Sequence, residues 1–414
     1  MPPFCLSTES WASENHCFKP QKGVAAAPSC QRFSWDEIVS MSFAEVLDAL
    51  PLSRSPLIRK FADLLAPQPD LQLERMAQIS RALTYQNFGH TMRLFAPLYL
   101  SNECINNCQY CGFSRDNPIL RVTLGVEEVK AEARHLARAG FRQVLLVAGE
   151  HPKFAGRDYL ADCVRALAPD FSSIAIEVGP MSTEDYLPVV EAGADGLVVY
   201  QETYDRGLYG ELHTAGPKRD FNWRLDCAER GYKAGFKRLG IGALFGLAPW
   251  QQDAIALAAH VEYLFKRCWQ AQISISLPRL RPAAGEFRPR FSMTDRELGQ
   301  LVCAFRITFP QVNLVLSTRE RALLRDALIP LGVTMISAGS HTEPGGYTGR
   351  GSENVHRTVR GKIVAPDFQD GEDRLATGQF EISDERSPAE MASFLRENGF
   401  DPVWKDWDQA LAPA

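Results

Sequence analysis

Three cysteines, Cys104, Cys108 and Cys111, fall within the stretch "CINNCQYCGF", with an aromatic, Tyr110, directly before the third. Thiols crowded into one segment are metal ligands by type. A structural zinc site takes four ligands, commonly as separated pairs. No fourth cysteine or histidine lies nearby, and His90 precedes the first expected strand. A cubane iron–sulfur cluster has four irons, each wanting a ligand, so three thiolates on one loop leave one iron open. An open iron can bind a small molecule through nitrogen and oxygen, which a catalytic cluster needs. Zinc and three unligated thiols remain the alternatives at this point.

The other seven cysteines read differently. Cys163, Cys227, Cys268 and Cys303 sit in apolar helical contexts and behave as small buried hydrophobes. Cys5, Cys17 and Cys30 are widely spaced, unlike ligands from one segment. The chain has 414 residues and no secretory start, so a disulfide framework is not expected. With no apolar run long enough to span a bilayer, a cytoplasmic enzyme is expected. A net charge of −5 argues against nucleic acid or an acidic membrane as partner.

The cluster loop needs a scaffold, and the pattern from residue 91 supplies one. Short apolar, β-branched runs alternate with amphipathic helical stretches. The strand candidates are "TMRLFAPLYL", "QVLLVAG", "SIAIEVG", "GLVVYQ", "RLGIGAL", "ISISLP", "NLVLST" and "VTMISA". Near-continuously apolar strands between helices mean a parallel sheet covered on both faces, and eight such units make a (βα)8 barrel of the TIM type. Gly140, Gly193, Gly235 and Gly332 stand where helices should end. Thr294-x-x-Glu297 and Ser387-x-x-Glu390 read as helix-starting capping boxes, as does Ser34-x-x-Glu37. The expected organisation is a flexible N-terminal extension over 1–33, a helical segment over 34–90, the barrel over 91–340, and a C-terminal extension over 341–414 packed on the barrel. Within the last, the glycine-rich "GGYTGRGSEN" reads as a mobile loop.

Barrel sites lie at the C-terminal ends of the strands. The residues there are the three thiols, then Gly149 and Glu150, Glu177, Gln201 to Thr203, Arg279 and Arg281, Ser317 to Arg319, and Ser337, Ser340 and His341. Thiols, carboxylates and guanidiniums around one mouth exceed what a purely structural barrel requires.

The spacing C-x3-C-x-aromatic-C after a first strand resembles the signature of the radical S-adenosylmethionine (SAM) enzymes. With "PLYLSNECINNCQYCGF", "LLVAGEH", "VYQETYD", "SLPRLRP", "LSTRE" and "VWKDWD", the chain from about residue 34 onward resembles the radical SAM tyrosine lyases of thiamine thiazole biosynthesis, the 2-iminoacetate synthase family. The resemblance implies a carbon–carbon lyase. Its open iron would chelate SAM, and a 5′-deoxyadenosyl radical would lead to Cα–Cβ cleavage of L-tyrosine. The products would be 2-iminoacetate and 4-methylphenol, with methionine and 5′-deoxyadenosine. It also implies a thiazole synthase as protein partner and a flavodoxin- or ferredoxin-type reductant.

Roles follow by the same resemblance. Cys104, Cys108 and Cys111 hold the 4Fe–4S cluster. Gly149 and Glu150 meet the SAM amino group, Glu177 its ribose or amino group, and Arg224 its carboxylate. Tyr110 and Phe113 cover cluster and adenine, and the glycines of "GIGALFG" admit adenine closely. Arg319 anchors the tyrosine carboxylate, with Ser317, Arg279 and Arg281 as further candidates; His341 is a proton donor or an exposed loop histidine. Rival readings are a tryptophan-cleaving relative, the tyrosine lyase of hydrogenase-cofactor assembly, and a non-catalytic iron–sulfur protein. The hydrogenase-type lyase carries further C-terminal cysteines, and this chain has none after Cys303.

Overall fold

Eight parallel strands close on themselves in the computed structural model, which describes residues 41–49, 51–285, 287–359, 362–368 and 375–404. In chain order they are β1 (Thr91–Ser101), β2 (Gln143–Ala148), β3 (Ser173–Glu177), β4 (Gly196–Val198), β5 (Arg238–Gly242), β6 (Gln272–Ser276), β7 (Asn313–Leu316) and β8 (Met335–Ser337). Each pairs with the next, and β8 returns to β1 through the register Arg93↔Met335, Leu94↔Ile336 and Phe95↔Ser337. All eight expected strands form. The readings made on residues 1–33 and on Ser34 and Glu37 lie outside the described residues.

Helices cover the barrel because each strand carries apolar side chains on both faces. They are α1 (Phe43–Ala49), α2 (Pro56–Leu65), α3 (Asp70–Phe88), α4 (Val126–Arg138), α5 (Arg157–Leu167), α6 (Thr183–Glu191), α7 (Arg206–Leu212), α8 (Phe221–Leu225), α9 (Cys227–Ala234), α10 (Trp250–Arg267), α11 (Asp295–Thr308), α12 (Ala322–Leu328) and α13 (Pro388–Glu397). Both described capping boxes form: Glu297 N donates to Thr294 Oγ1 and Glu390 N to Ser387 Oγ. Gly140, Gly193, Gly235 and Gly332 all take positive φ, where a Cβ would be strained. α2 and α3 lie on α11, with the Phe61 and Phe305 rings 4.7 Å apart. Cys163, Cys227, Cys268 and Cys303 are buried, as expected of small hydrophobes.

Two features depart from expectation. A ninth strand, β9 (Asp401–Val403), pairs with the first three residues of β1. The glycine-rich stretch after β8 is tied down rather than mobile. The buried Glu132 of α4 accepts from the backbone N–H groups of Tyr347 (3.0 Å) and Thr348 (2.8 Å), and Tyr347 Oη donates to Pro97 O. A carboxylate buried among apolar helix residues must find donors, and this loop supplies them.

Beyond it, residues 375–384 run across the barrel mouth. Thr377 N donates to Leu120 O, Glu381 N to Pro282 O, and Ser383 N to Thr318 O. These carbonyls lie on the loops after β1, β6 and β7. At the end of the segment Asp384 forms a fully buried ion pair with Arg325 of α12. The C-terminal segment is therefore a fixed wall of the mouth.

Candidate functional site

Two cavities open at the C-terminal ends of the strands. The first, of about 570 Å³, is lined by Cys104, Cys108 and Cys111 together with Asn106, Gly149, Glu150, Lys218 and Arg224. The second, of about 710 Å³, lies over the barrel and is lined by Tyr99, Tyr200, Ser317, Arg319 and Phe380, among others. Val147, Glu177 and Gln379 line both. The two spaces are neighbours with a shared wall.

The three cysteines are free, with Cys108 buried and the other two partly so. Burial pushes the Cys104 and Cys108 thiols up. Opposing this, backbone N–H groups of Asn106 and Glu150 are directed at Cys104, and the Lys218 ammonium favours the Cys108 thiolate. Three thiols line this cavity and no imidazole stands among its described lining residues, a donor set that suits a cluster in which each thiolate takes a different iron. The surroundings are close: a Cβ on Gly149 would strike the Glu103 carbonyl, and one on Gly179 would strike the Glu150 side chain. Glycine at these points keeps the cavity wall at backbone distance.

Carboxylates and cations alternate around this cavity. Asn106 Nδ2 donates to Glu150 Oε2 at 2.6 Å, leaving the other carboxylate oxygen for a ligand ammonium. Arg224, buried, donates through Nε to Tyr200 O at 2.7 Å. Glu202 accepts from Lys218 Nζ at 2.6 Å and lies 3.4 Å from Arg224 Nη2. Burial works against the Glu202 carboxylate, but Lys218 and Arg224 outweigh it and hold its pKa low. Glu177 differs. It accepts no hydrogen bond from the described residues, and burial pushes it up to about 7 against the pull of Arg319.

In the second cavity Arg319 has no ion-pair partner among the described residues; its guanidinium carbon lies 3.4 Å from the Phe380 ring centroid. Ser317 Oγ accepts from Arg319 N at 3.4 Å. A stacked, unpaired guanidinium beside a hydroxyl is suited to a carboxylate held in two places.

Several expected residues are placed elsewhere. Arg279 binds Glu320, Asp295 and Met293 O, so its guanidinium is spent on loop structure and lines neither cavity. Arg281 donates to Ser383 and lines a separate side cavity with Tyr110 and Phe287. Tyr110 also turns away from the thiol cavity. Its hydroxyl lies 2.8 Å from His213 Nε2, while Phe113 does line that cavity. His341 bonds Glu343 at 2.8 Å and faces neither space. In "GIGALFG", a Cβ on Gly240, Gly242 or Gly246 would strike Val198, Ser276 or Leu280, so these glycines are used in packing between neighbouring strands and loops.

Sequence reasoning gave no role to Asn106, Glu202, Lys218, Tyr99, Gln379 or Phe380. Glu202 was visible as an acid at a strand end. Lys218 sits in an aperiodic loop and Gln379 far past the last barrel strand, where no periodicity points to a site.

A closed parallel barrel with three free thiols on the loop after β1, facing a pocket of mixed charges, is the architecture of a radical SAM enzyme. Residues 98–256 match the Radical SAM superfamily, and residues 276–401 match the Biotin and Thiamin Synthesis associated domain. The chain belongs to the 2-iminoacetate synthase family. It is 38% identical to the 2-iminoacetate synthases of Salmonella typhimurium and Escherichia coli over 392 residues, covering 93% of this chain and 97% of each relative. Among solved structures, the FeFe-hydrogenase maturase HydG from Carboxydothermus hydrogenoformans is similar at 32% identity and a TM-score of 0.74, covering 87% of this chain and 79% of HydG. Methylornithine synthase shares the fold, with a TM-score of 0.64 at 20% identity.

Proposed function

We infer that the chain is a radical SAM lyase that cleaves the Cα–Cβ bond of L-tyrosine to 2-iminoacetate and 4-methylphenol, with SAM converted to methionine and 5′-deoxyadenosine, in making the thiazole of thiamine. One observation carries this beyond family membership: the thiol cavity and the Arg319 cavity share Val147, Glu177 and Gln379 as a common wall. An amino acid anchored at Arg319 would lie next to whatever forms beside the thiols. The 4Fe–4S cluster and SAM, when bound, supply one-electron bond cleavage and hydrogen abstraction; the chain positions the partners and excludes water.

The residues divide that work. Cys104, Cys108 and Cys111 hold the cluster. Glu150, braced by Asn106, takes the SAM ammonium; Gly179 gives the Glu150 side chain room, and Gly149 lets the end of β2 pack directly on Glu103 beside Cys104. Arg224 and Lys218, held by Glu202, take the SAM carboxylate. Arg319 and Ser317 hold the tyrosine carboxylate. Glu177, with a carboxyl near pKa 7 on the shared wall, can hold or release a proton there. Tyr110 packs behind the cluster loop, and Arg279 and Arg281 serve the mouth loops rather than the substrate.

2-Iminoacetate hydrolyses in water, so direct hand-over to a thiazole synthase is the fitting fate, and a flavodoxin- or ferredoxin-type protein is the fitting electron source. An oxygen-sensitive cluster suits the cytoplasm. Among the described residues no helix is long and apolar enough to cross a membrane.

The test is anaerobic reconstitution with iron and sulfide, then incubation with SAM, dithionite and L-tyrosine or L-tryptophan. The expected result is 4-methylphenol and 5′-deoxyadenosine in comparable amounts from tyrosine, with glyoxylate from hydrolysis of the imine. Indole products from tryptophan without 4-methylphenol from tyrosine would move the assignment to a tryptophan lyase. SAM cleavage indifferent to both would reject the lyase reading.

A further inference from the structure

Gln379 stands on the shared wall of both cavities, yet it comes from the C-terminal segment rather than the barrel. Its backbone is fixed on both sides. Gln379 N donates to Thr342 O at 3.0 Å, and Gly112 N, next to Cys111, donates to Gln379 O at 3.2 Å. Gly112 is glycine for a reason: a Cβ there would lie 2.4 Å from Gln379 O. The cluster loop and the C-terminal segment are pressed together at this point.

The side chain is fixed as well. Tyr99, a buried residue of β1, donates its hydroxyl to Gln379 Oε1 at 2.8 Å. Gln379 Nε2 then lies 3.9 Å from Cys111 Sγ. Which end of a carboxamide faces which partner follows from the partners' chemistry. A thiolate bound to iron offers no proton, so the amide oxygen would repel it. The amide N–H faces the sulfur, and the oxygen takes the Tyr99 proton.

We propose that Gln379, oriented by Tyr99, donates an N–H···S hydrogen bond to the Cys111 thiolate and sets the reduction potential of the cluster. The proposal rests on the reading that Cys111 ligates the cluster. An N–H aimed at a ligating sulfur draws electron density from it and favours the reduced, more negative cluster, so the potential rises. Gln379 is a positioning and tuning residue, not a cluster ligand. A residue of the C-terminal segment thereby bears on the ease of reducing the cluster held by the loop after β1.

The experiment is an EPR-monitored redox titration of the reconstituted full chain without SAM, with iron per chain measured on the same samples. Wild type is compared with Gln379→Leu, Gln379→Glu and Tyr99→Phe. The expected result is wild-type iron content with a midpoint potential shifted to more negative values in both Gln379 variants. Tyr99→Phe, which keeps the amide but frees it, should shift less. If Gln379→Leu fails to take up iron, Gln379→Asn carries the comparison, because it keeps the amide and withdraws it from Cys111. Unchanged potentials at full iron content would overturn the proposal. A wild-type chain that binds no four-iron cluster would instead reject the cluster reading on which it rests.

Discussion

Lys218 Nζ lies 2.6 Å from Glu202 Oε1, and Glu202 holds this place with a φ of 74°, the one non-glycine positive φ among the described residues. Such backbone costs of order 1–3 kcal/mol for a non-glycine residue and persists where the surroundings demand it. Here the demand is electrostatic. Glu202, Lys218 and Arg224 are largely buried, and the lone carboxylate serves both cations.

Glu202→Gln should therefore destabilise the protein by about 3–5 kcal/mol, because it removes the carboxylate that pairs directly with two buried cations. Urea unfolding near neutral pH measures it, and an unchanged midpoint would refute the pairing. The double variant with Lys218→Met should lose less than the sum of the single losses, since the partners share one interaction. The sign with pH follows from Glu202's lowered pKa. Its contribution is present above the ordinary carboxylate value of 4.5 and fades as pH falls through the lower folded value.

Cys108→Ala should remove the cluster, its brown absorbance and SAM cleavage together. Cys108 is the most buried of the three thiols, and Lys218 offsets only part of the rise that burial imposes on it. Iron analysis and EPR after reconstitution decide it. A variant that keeps a full four-iron cluster would show the ligand assignment to be wrong.

Arg319→Lys should raise the tyrosine KM while leaving iron content at the wild-type level. A lysine keeps the charge but loses both the fork and the stacking on Phe380, which lies 3.4 Å from the guanidinium. Loss of a bidentate charge-assisted contact costs roughly 2–5 kcal/mol of binding. Tyrosine kinetics of the reconstituted variant test this, and an unchanged KM removes Arg319 from the substrate site.

Much of this was legible in the sequence, for physical reasons. The thiol spacing and the strand-end position of Arg319 are local signals, and so are the runs that become β1 to β8. What stayed hidden depends on contacts between distant segments. Arg279 and Arg281 sit in "PRLRP" at a strand end, just as Arg319 does in "STRE". Only the fold shows that Glu320 and Asp295 claim the first and Ser383 the second. Gln379 reaches Cys111 across 268 positions of sequence, and no periodicity encodes that meeting. The loop around Tyr347 reads as mobile from its glycines until the buried Glu132 is seen to need its N–H groups.

Glu177 closes β3 on the wall between the two cavities, with its carboxyl raised by burial from an ordinary value of 4.5 to about 7. A carboxyl whose folded value lies above its unfolded one stabilises the fold fully below about 4.5. That contribution is lost as pH rises through about 7. Above that pH an ionised carboxylate is held without a hydrogen-bond donor. Glu177→Gln cannot ionise, so its stability should change less between pH 5 and pH 8 than that of wild type. The gap in favour of the variant should open across that window to roughly 1–3 kcal/mol, the upper end being the full shift and the lower end allowing for partial solvation. Urea unfolding of the cluster-free protein at intervals of pH measures this directly. The same carboxyl predicts a kinetic signature in the reconstituted enzyme. If Glu177 exchanges a proton during tyrosine cleavage, the pH profile of kcat/KM carries a step near 7 that Glu177→Gln abolishes. A stability gap without that step would leave Glu177 as a buried group that shapes the wall, and a step that survives the substitution would assign the proton to another residue.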